Sequence, residues 1–485
     1  MESNSVREVR MYIDGEWRPA RTGRRFEVRN PATGELLAHV ADGDREDARA
    51  AITAAHEAFP LWANTPAEQR ARLLMRAANL IEQHQEKLAT TLTVENGKPL
   101  AEARVEIAQT ASFLQWNAEE ARRIYGRVIP PAAPNRRILT FRQPVGVVAA
   151  ITPWNFPASM VTRKLGPALA AGCTTILRPA RATPLVTAEI FELLALAGLP
   201  KGVVNLVTGT NSAGMGEEFA TNPQVRKLTF TGSTEVGKQL LALTAGTVKR
   251  VSMELGGHAP FLVFEDADLD LAARSVIASR FRNGGQTCIC TNRVLVQRKV
   301  LEAFSEKVAA LAKGIRVGNG LDPEVQMGPL IDGRGIEKAT RHVEDAQAKG
   351  ARILAGGKPA KVSGDLKGHF YEPTVLAEAT TDMLIMHEET FGPVLPIMAF
   401  DTEEEAIRLA NDTPYGLAAY FFTRDVGRIF RVSEQLEYGI IGANDPAPVG
   451  PHIPFGGVKE SGMGREAGTD GMEGFLEVKS VSIGI

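Results

Sequence analysis

Two of the three cysteines of this 485-residue chain, Cys288 and Cys290, lie in the loop sequence FRNGGQTCICTN. Zinc sites need CxxC pairs or Cys/His clusters, and a single C-x-C pair among scattered histidines predicts no metal site. Arg282 and the polar, turn-forming residues of the loop favour a nucleophilic thiolate at Cys288. Burial as a small apolar residue is the alternative for either cysteine, and it is our interpretation of Cys290.

A nucleophile needs an oxyanion donor and an acid or base, and three further stretches offer such groups. Asn155 lies in ITPWNFP, Glu254 in MELGGHAP, and Glu389 with Phe391 in ETFGP. The first two stretches end apolar runs of strand type, and polar residues at strand ends lie where ligands bind in α/β folds. Taken singly, each of these residues is better explained as a solvated loop residue.

The glycine-rich stretch FTGSTEVGKQ allows two interpretations. Gly232 to Lys238 fits the phosphate-binding loop of nucleoside triphosphatases, but that motif continues with Ser or Thr to hold magnesium, and this chain has Gln239. The other interpretation is a glycine turn that opens a helix whose N-terminus meets a pyrophosphate. The dinucleotide fingerprint GxGxxG after a strand is absent, so this stretch alone does not identify a cofactor.

The elements that position these residues show two α/β patterns. From Val145, short apolar runs such as VGVVAAITP, TTILRPA, GVVNLVTG and KLTFTG alternate with helix-type segments, as buried parallel strands do. A second alternation extends from about Ala259 to Ile441, so we predict two α/β domains with a cleft between them. Residues 46–125 are helical in pattern. The stretch 126–144 and the tail GFLEVKSVSIGI are candidate strands for pairing with another subunit.

The bulk composition excludes several classes of protein. A net charge of −2 gives no basic field for nucleic acid or an acidic membrane surface. Three cysteines cannot build a disulfide framework, which indicates a reducing compartment. The N-terminal stretch MESNSVREVRMYIDGEW lacks the apolar core of a signal peptide, and no run is long enough for a membrane helix. We therefore expect a cytoplasmic protein.

Taken together, the motifs PWNFP, FTGSTEVG, MELGG, GQTC and EETFGP, in this order, resemble the aldehyde dehydrogenase superfamily over nearly the whole chain. SMVTRKLGPALAAGC, FRNGGQTCIC and PFGGVKESGMGRE are most similar to the succinate-semialdehyde dehydrogenase branch. The resemblance implies an α/β fold with a variant Rossmann cofactor domain (1–125 and 145–253) and an α/β catalytic domain (254–469). It also implies a small β oligomerisation element (126–144 and 470–485) and a homodimer or homotetramer.

The resemblance also assigns roles. The Cys288 thiolate attacks the aldehyde, Asn155 and the Cys288 N–H hold the oxyanion, oxidation by a nicotinamide cofactor leaves a thioester, and Glu254 activates water. Intact catalytic residues argue against a non-catalytic binding or structural relative, and Glu254 argues against acyl transfer to coenzyme A. The implied cofactor-binding residues, besides two arginines considered next, are Trp154, Gly232, Ser233, Gly237, Leu255, Glu389 and Phe391.

The cofactor motif departs from the family pattern. Relatives that use NAD commonly carry Lys-Pro-x-Glu after the second strand, where the Glu binds the ribose hydroxyls. This chain has Arg178-Pro179-Ala180-Arg181. Because guanidinium groups bind a phosphate and a carboxylate repels it, we predict that NADP is preferred and that NAD can be used.

The expected substrate is a small aldehyde with an anionic tail. The semialdehyde branch binds a distal carboxylate with two arginines, which correspond here to Arg163 and Arg282. The loop NDPAPVGPHI differs from the sequence usual in that branch, and its His452 adds a hydrogen-bond donor. Succinate semialdehyde is our first choice; glutarate semialdehyde and phosphonate- or sulfonate-bearing aldehydes are the alternatives. Some relatives form a disulfide between the nucleophile and the cysteine two residues on, so Cys290 is either packing or a redox switch.

Overall fold

The computed structural model describes residues 6–362, 364 and 366–485. The first five residues, part of the N-terminal stretch considered above, lie outside the described residues. Up to residue 254 the elements are β1 (Arg7–Val9), β2 (Met11–Ile13), β3 (Glu16–Arg18), β4 (Arg25–Arg29), β5 (Leu36–Ala41), α1 (Arg45–Ala63), α2 (Ala67–Gln83), α3 (Gln85–Asn96), α4 (Leu100–Glu120), β6 (Arg127–Ile129), β7 (Arg136–Pro144), β8 (Val147–Ile151), α5 (Ser159–Ala171), β9 (Thr174–Arg178), α6 (Leu185–Leu196), β10 (Val204–Leu206), α7 (Ser212–Thr221), β11 (Val225–Thr231), α8 (Thr234–Thr244) and β12 (Arg250–Glu254).

The remainder of the chain forms a second series of alternating elements. These are β13 (Ala259–Val263), α9 (Leu269–Phe281), β14 (Thr291–Gln297), α10 (Leu301–Lys313), α11 (Gly333–Ala348), β15 (Arg352–Ala355), β16 (Thr374–Ala377), β17 (Val394–Phe400), α12 (Glu403–Asn411), β18 (Ala418–Phe422), α13 (Val426–Gln435), β19 (Ile440–Ala443), β20 (Gly462–Met463), α14 (Asp470–Glu473) and β21 (Leu476–Gly484).

The first large sheet has the strand order β20-β12-β11-β8-β9-β10-β2-β3. Its five central strands, β12 to β10 in that order, are parallel, and β8 and β9 are buried along their whole length. Uniformly apolar strands suit this position because helices cover both faces of a parallel sheet. The strands predicted from Val145 to Thr231 are confirmed, and polar groups at their carboxyl ends lie along one edge.

The second large sheet has the order β15-β16-β17-β14-β13-β18-β19, in which the six strands from β16 to β19 are parallel. The strands predicted in APFLVFEDAD, NRVLVQ, PVLPIMAFD and GLAAYFFTRD are confirmed as β13, β14, β17 and β18. The two-residue strand β20 crosses back and pairs with β12 of the first sheet. The two α/β patterns therefore correspond to two sheets that the last part of the chain links together.

A small third sheet, β21-β7-β6, contains the stretch 126–144 and the C-terminal tail. β7 pairs antiparallel with β21 over nine residue pairs and with β6 on its other side. These strands, considered as partners for another subunit, thus pair with each other within one chain. Within the described residues, no helix has the length and apolar character needed to cross a membrane.

A buried ion pair joins the helices to the loop that follows β8. Lys98 Nζ lies 2.5 Å from Glu106 Oε2, and both side chains are fully inaccessible to solvent. Lys98 also donates to the main-chain oxygen of Asn155 at 2.7 Å. Glu106 Oε1 accepts the backbone N–H groups of Ala158 and Ser159, where a negative charge suits the positive end of α5. One ion pair therefore fixes both Asn155 and the start of α5.

We expect Lys98→Met to lower the free energy of unfolding by about 3–5 kcal/mol, because Glu106 would remain buried without a cation. Urea unfolding monitored by tryptophan fluorescence measures this. The matched control is Lys307→Met, which removes a lysine from the exposed pair with Asp270 and should change nothing measurable. Equal effects of the two substitutions would show that the buried pair does not hold this region together.

Candidate active site

The cysteine loop is shaped by a tight turn between α9 and β14. Asn283, Gly284 and Gly285 all have left-handed backbone conformations, with φ of 50°, 65° and 74°. At Gly285 a side chain would collide with the main chain of Gly392, so glycine permits the close approach of two loops. The turn presents Cys288 at the junction of two cavities, since this residue lines both.

The Cys288 thiol is half-buried, and burial raises its pKa to about 12, with a further contribution from Glu389. Arg163 is the neighbouring cation that lowers this pKa. The Arg282 guanidinium lies over the ring of Phe156 instead, 5.0 Å from its centre. In this arrangement desolvation outweighs the local positive charge in setting the pKa of Cys288, and the effect expected of Arg282 stays a prediction.

Asn155 is held beside the cysteine loop by hydrogen bonds to its main chain and side chain. The main-chain oxygen of Asn155 accepts hydrogen bonds from Lys98 Nζ at 2.7 Å and from Asn283 Nδ2 at 3.0 Å. The side-chain Nδ2 of Asn155 donates a hydrogen bond to the main-chain oxygen of Gln286 at 3.1 Å. Because an amide nitrogen carries two hydrogens, one remains to stabilise an oxyanion.

Glu254 ends β12 and is almost fully buried, with 2% exposure. Neither carboxylate oxygen has a hydrogen-bond partner among the described residues. Burial, followed by the nearby charge of Glu466, raises the pKa of Glu254 well above its usual value. A carboxylate whose pKa is raised is a stronger base than an exposed one, as the abstraction of a proton requires.

Lys164 and Glu466, two charged residues near Glu254, were not predicted as site residues from the sequence. Lys164 Nζ donates to Glu466 Oε1 at 2.6 Å and to Thr229 Oγ1 at 3.0 Å, and both charged side chains are buried. Arg163 and Lys164 occur in the otherwise apolar segment SMVTRKLGPALAA, which becomes α5. Two charged residues within so apolar a helix were the sequence signal for a buried charged site, because buried charges need partners.

One cavity next to Cys288 has a volume of about 230 Å³ and the character of a cofactor site. Ser233 caps the N-terminus of α8, which presents positive backbone N–H groups as a pyrophosphate site requires. A side chain at Gly232 would lie 2.5 Å from the Phe230 ring, and Gly237 packs closely against Leu255. The cavity is lined by Pro153, Trp154, Asn155, Thr231, Gly232, Ser233, Leu255, Gly256, Cys288, Glu389 and Phe391.

The far wall of this cavity carries an aromatic pair and a carboxylate. The rings of Trp154 and Phe391 meet edge to face, with centres 5.5 Å apart. Glu389 Oε1 accepts the Gly257 N–H at 3.1 Å, and burial raises the pKa of Glu389 to about 7. Aromatic rings beside a hydrogen-bonding carboxylate fit a nicotinamide ring and its ribose, so these residues suit the cofactor that the motifs imply.

The two arginines of the cofactor motif occupy different environments. Arg178 is 6% exposed and donates to Ser212 Oγ at 2.7 Å and Gly209 O at 3.2 Å. Arg181 is exposed and lines a cavity of about 790 Å³ that also contacts Trp154. Neither arginine forms an ion pair in the part of the chain that the structure describes.

The second cavity at Cys288, of about 40 Å³, contains two of the three expected substrate residues, Arg163 and Arg282. The Arg163 guanidinium lies between two aromatic faces, 4.2 Å from the centre of Phe455 and 5.0 Å from that of Phe113. Its Nε and Nη1 are buried without hydrogen-bond partners among the described residues. His452 is exposed, 6.1 Å from Trp116 between ring centres, and is absent from the cavity wall.

The three cysteines are free thiols. Cys290 is 1% exposed, and its sulfur accepts from Arg280 at 3.3 Å and contacts the Gly285 oxygen at 3.4 Å. Arg280 also donates to the main-chain oxygen of Gly392. The packing role predicted for Cys290 therefore includes a polar contact that joins the cysteine loop to the Glu389–Phe391 loop.

Comparison with known proteins shows the family of the chain. The model of the aldehyde dehydrogenase family matches residues 17–481. The chain is 50% identical over 484 residues to 3-sulfolactaldehyde dehydrogenase of Pseudomonas putida, covering 100% of this chain and 99% of that protein. It is 49% identical over 484 residues to succinate-semialdehyde dehydrogenase [NADP(+)] of Escherichia coli K12, with coverage of 100% and 99%.

A solved structure agrees with these matches. Succinate-semialdehyde dehydrogenase from Burkholderia pseudomallei has a TM-score of 0.97 to this chain at 46% identity, with 100% of both chains covered. The α/β fold with its cofactor and catalytic sheets, expected from the ordered motifs, is confirmed by this agreement. The chain belongs to the aldehyde dehydrogenase family.

Proposed function

We propose that this protein oxidises a small aldehyde with an anionic tail to its carboxylic acid, with succinate semialdehyde as the first substrate to test. The observation that carries this proposal is the Arg163 guanidinium, which is buried in the cavity beside Cys288 and forms no ion pair with any described carboxylate. A buried charge needs a counter-charge, and an anionic tail would supply it. The names of the E. coli and Burkholderia relatives support this substrate.

Each reacting group of the chain has one task in this reaction. The Cys288 thiol gives its proton to solvent as the sulfur adds to the aldehyde carbon, and the Asn155 amide and the Cys288 N–H stabilise the resulting oxyanion. A bound nicotinamide supplies the two-electron acceptor. Oxidation of the adduct leaves a thioester on Cys288; Glu254 then takes a proton from water, whose oxygen attacks the thioester and releases the acid and the thiol.

The preferred cofactor in this proposal is NADP, with NAD as a usable alternative. Arg181 stands where NAD-dependent relatives carry the ribose-binding carboxylate, which would repel a 2′-phosphate, and Arg178 keeps a positive charge at the other end of the motif. The E. coli relative is named for NADP+. Trp154, Gly232, Ser233, Glu389 and Phe391 would hold the rest of the dinucleotide; Leu255 would line the same cavity, with Gly237 packed against it.

A sulfonate-bearing aldehyde is the second candidate substrate. The P. putida relative is named for 3-sulfolactaldehyde. A guanidinium group binds carboxylates and other oxyanions through the same hydrogen-bond donors. Both candidates rely on Arg163, with Arg282 at the rim of the cavity, and rate measurements with each aldehyde will decide between them.

We also propose a cytoplasmic homodimer or homotetramer with the domain boundaries given above. Three free thiols suit a reducing compartment. Apolar side chains of the third sheet, Val128, Phe141, Val478 and Ile483, are exposed in the single chain. Exposed apolar groups on a sheet of this kind favour burial against another copy.

For catalysis, we expect Cys288→Ala to lower the oxidation rate by at least about 1,000-fold, because the nucleophile is lost. Glu254→Gln should keep a first-turnover burst of reduced cofactor and lower the steady-state rate by about 100- to 10,000-fold. Stopped-flow absorbance separates the two phases. A Glu254→Gln enzyme without the burst would place Glu254 before thioester formation, contrary to this assignment.

The same assignment predicts the pH dependence of the native enzyme. Glu254 acts as a base only when ionised, and burial together with Glu466 raises its pKa. The ionised fraction grows as pH rises, so the steady-state rate should increase with pH through this raised pKa. The residual rate of Glu254→Gln should lack that rise. An identical pH profile in both enzymes would assign the titration to another group.

For substrate recognition, we expect Arg163→Met to raise KM for succinate semialdehyde about 100-fold, because losing one partner of a buried charge pair costs about 2–5 kcal/mol. The rate with butanal, which has no charged tail, should change little. His452→Ala is the control and should leave both substrates unaffected, since this side chain lies outside the cavity. Parallel losses for the two aldehydes in Arg163→Met would indicate a structural role instead.

For the cofactor, Arg181→Ala should lower kcat/KM for NADP by about 10-fold and leave that for NAD nearly unchanged, because one charge-assisted contact to the 2′-phosphate is lost. Arg334→Ala is the matched control: Arg334 lines the same cavity but is already paired with Asp332. A native enzyme that prefers NAD would contradict the proposed cofactor preference.

A further inference from the structure

The last residue of β9 contacts the first residue of the helix that follows β10, next to the expected position of the adenosine ribose. Arg178 ends β9, and Ser212 begins α7 shortly after the neighbouring parallel strand β10. In dinucleotide-binding sheets the end of the second strand meets the adenosine ribose, and an arginine there accommodates a 2′-phosphate. Because β9 follows β8 in such an order, Arg178 and Ser212 lie at this position.

Across the residues that the structure describes, Arg178 is a buried cation with no ion-pair partner. Its side chain is 6% exposed, its Nε has no hydrogen-bond partner within the described residues, and burial lowers its pKa to about 10. Its Nη2 donates to Ser212 Oγ, so the guanidinium group reaches the start of α7. Such an arrangement is costly unless an anion completes it.

The start of α7 provides further donors. This ten-residue helix has an exposed first turn. Asn211 Oδ1 accepts the Gly214 N–H, the Asn211 oxygen accepts the Met215 N–H, and the Ser212 N–H bonds to Thr210. The Ala213 N–H remains, and it adds to the positive end of the helix dipole.

The carboxylates nearby are engaged by other groups. Asp42 accepts both the N–H and the hydroxyl of Thr210. Glu217 pairs with Arg45, and Glu218 pairs with Arg49 at 2.9 Å. No described carboxylate therefore neutralises Arg178 or occupies the donors at the helix start.

We propose that Ser212 is a specificity-determining residue that binds the 2′-phosphate of NADP together with Arg178 and the Ala213 N–H. This inference rests on the proposed NADP preference and adds a residue to it. The Ser212 oxygen accepts from Arg178, so its O–H is available to donate to the phosphate. A set consisting only of donors suits a phosphate, whereas ribose hydroxyls in NAD are usually met by a carboxylate acceptor.

The test compares Ser212→Ala, Ser212→Asp and the control Thr221→Ala, which removes a hydroxyl from the other end of the same helix. Calorimetry would measure binding of adenosine 2′,5′-bisphosphate and adenosine 5′-monophosphate, which differ only in the 2′-phosphate. We expect Ser212→Ala to weaken the bisphosphate about 10-fold and leave the monophosphate unchanged, as for one hydrogen bond to a charged group. Ser212→Asp should abolish the preference, and Thr221→Ala should change neither.

Kinetics with both cofactors supplies the second measurement. The kcat/KM ratio of NADP to NAD should fall in Ser212→Ala in proportion to the loss of bisphosphate binding. Unchanged bisphosphate binding in Ser212→Ala, or equal weakening of both nucleotides, would overturn the role of Ser212 and leave the proposed function standing. If the native protein binds both nucleotides equally, this inference and the NADP preference both fail, while NAD-dependent aldehyde oxidation remains separately measurable.

Discussion

The buried pair of Lys98 and Glu106 is the constraint on which the catalytic geometry depends. Two charges with no solvent contact must be matched by each other and by hydrogen bonds, which leaves their surroundings little freedom. Lys98 donates a hydrogen bond to the main-chain oxygen of Asn155, and Glu106 accepts hydrogen bonds from the N–H groups at the start of α5. Asn155 and the helix that carries Arg163 are therefore positioned by the same ion pair.

Asn155 transmits this constraint to the nucleophile. Its oxygen also accepts from Asn283, and its side chain donates to Gln286, so the cysteine loop is attached to the anchored segment at two points. Further along α5, Lys164 pairs with Glu466, whose charge raises the pKa of Glu254. Cys288, Asn155 and Glu254 thus lie on three segments that adjoin buried charges.

Much of this arrangement follows from the sequence, because apolar runs and ordered motifs report local structure directly. The strands around both cavities, and the meeting of Asn155, Cys288 and Glu389, were predicted in this way. The acidic partner of Lys164 is hundreds of residues away, so only the fold identifies the pair. The sequence also could not give the direction of the pKa shift of Cys288 or the exposure of His452, because desolvation and loop direction are properties of the packed chain.

Buried arginines show how a ligand-binding charge differs from a structural one. Arg293 is buried without a carboxylate, yet it donates to three backbone oxygens and the Tyr438 hydroxyl, so its charge is already solvated by the protein. Arg163 has unpartnered nitrogens in a cavity beside Cys288, and Arg178 has one beside an exposed helix start. Unpartnered donors cost free energy unless a ligand meets them. Arg280 also keeps one unpartnered nitrogen but lines neither cavity at Cys288, so unmet donors matter for binding only where they adjoin a cavity or an exposed surface, as those of Arg163 and Arg178 do.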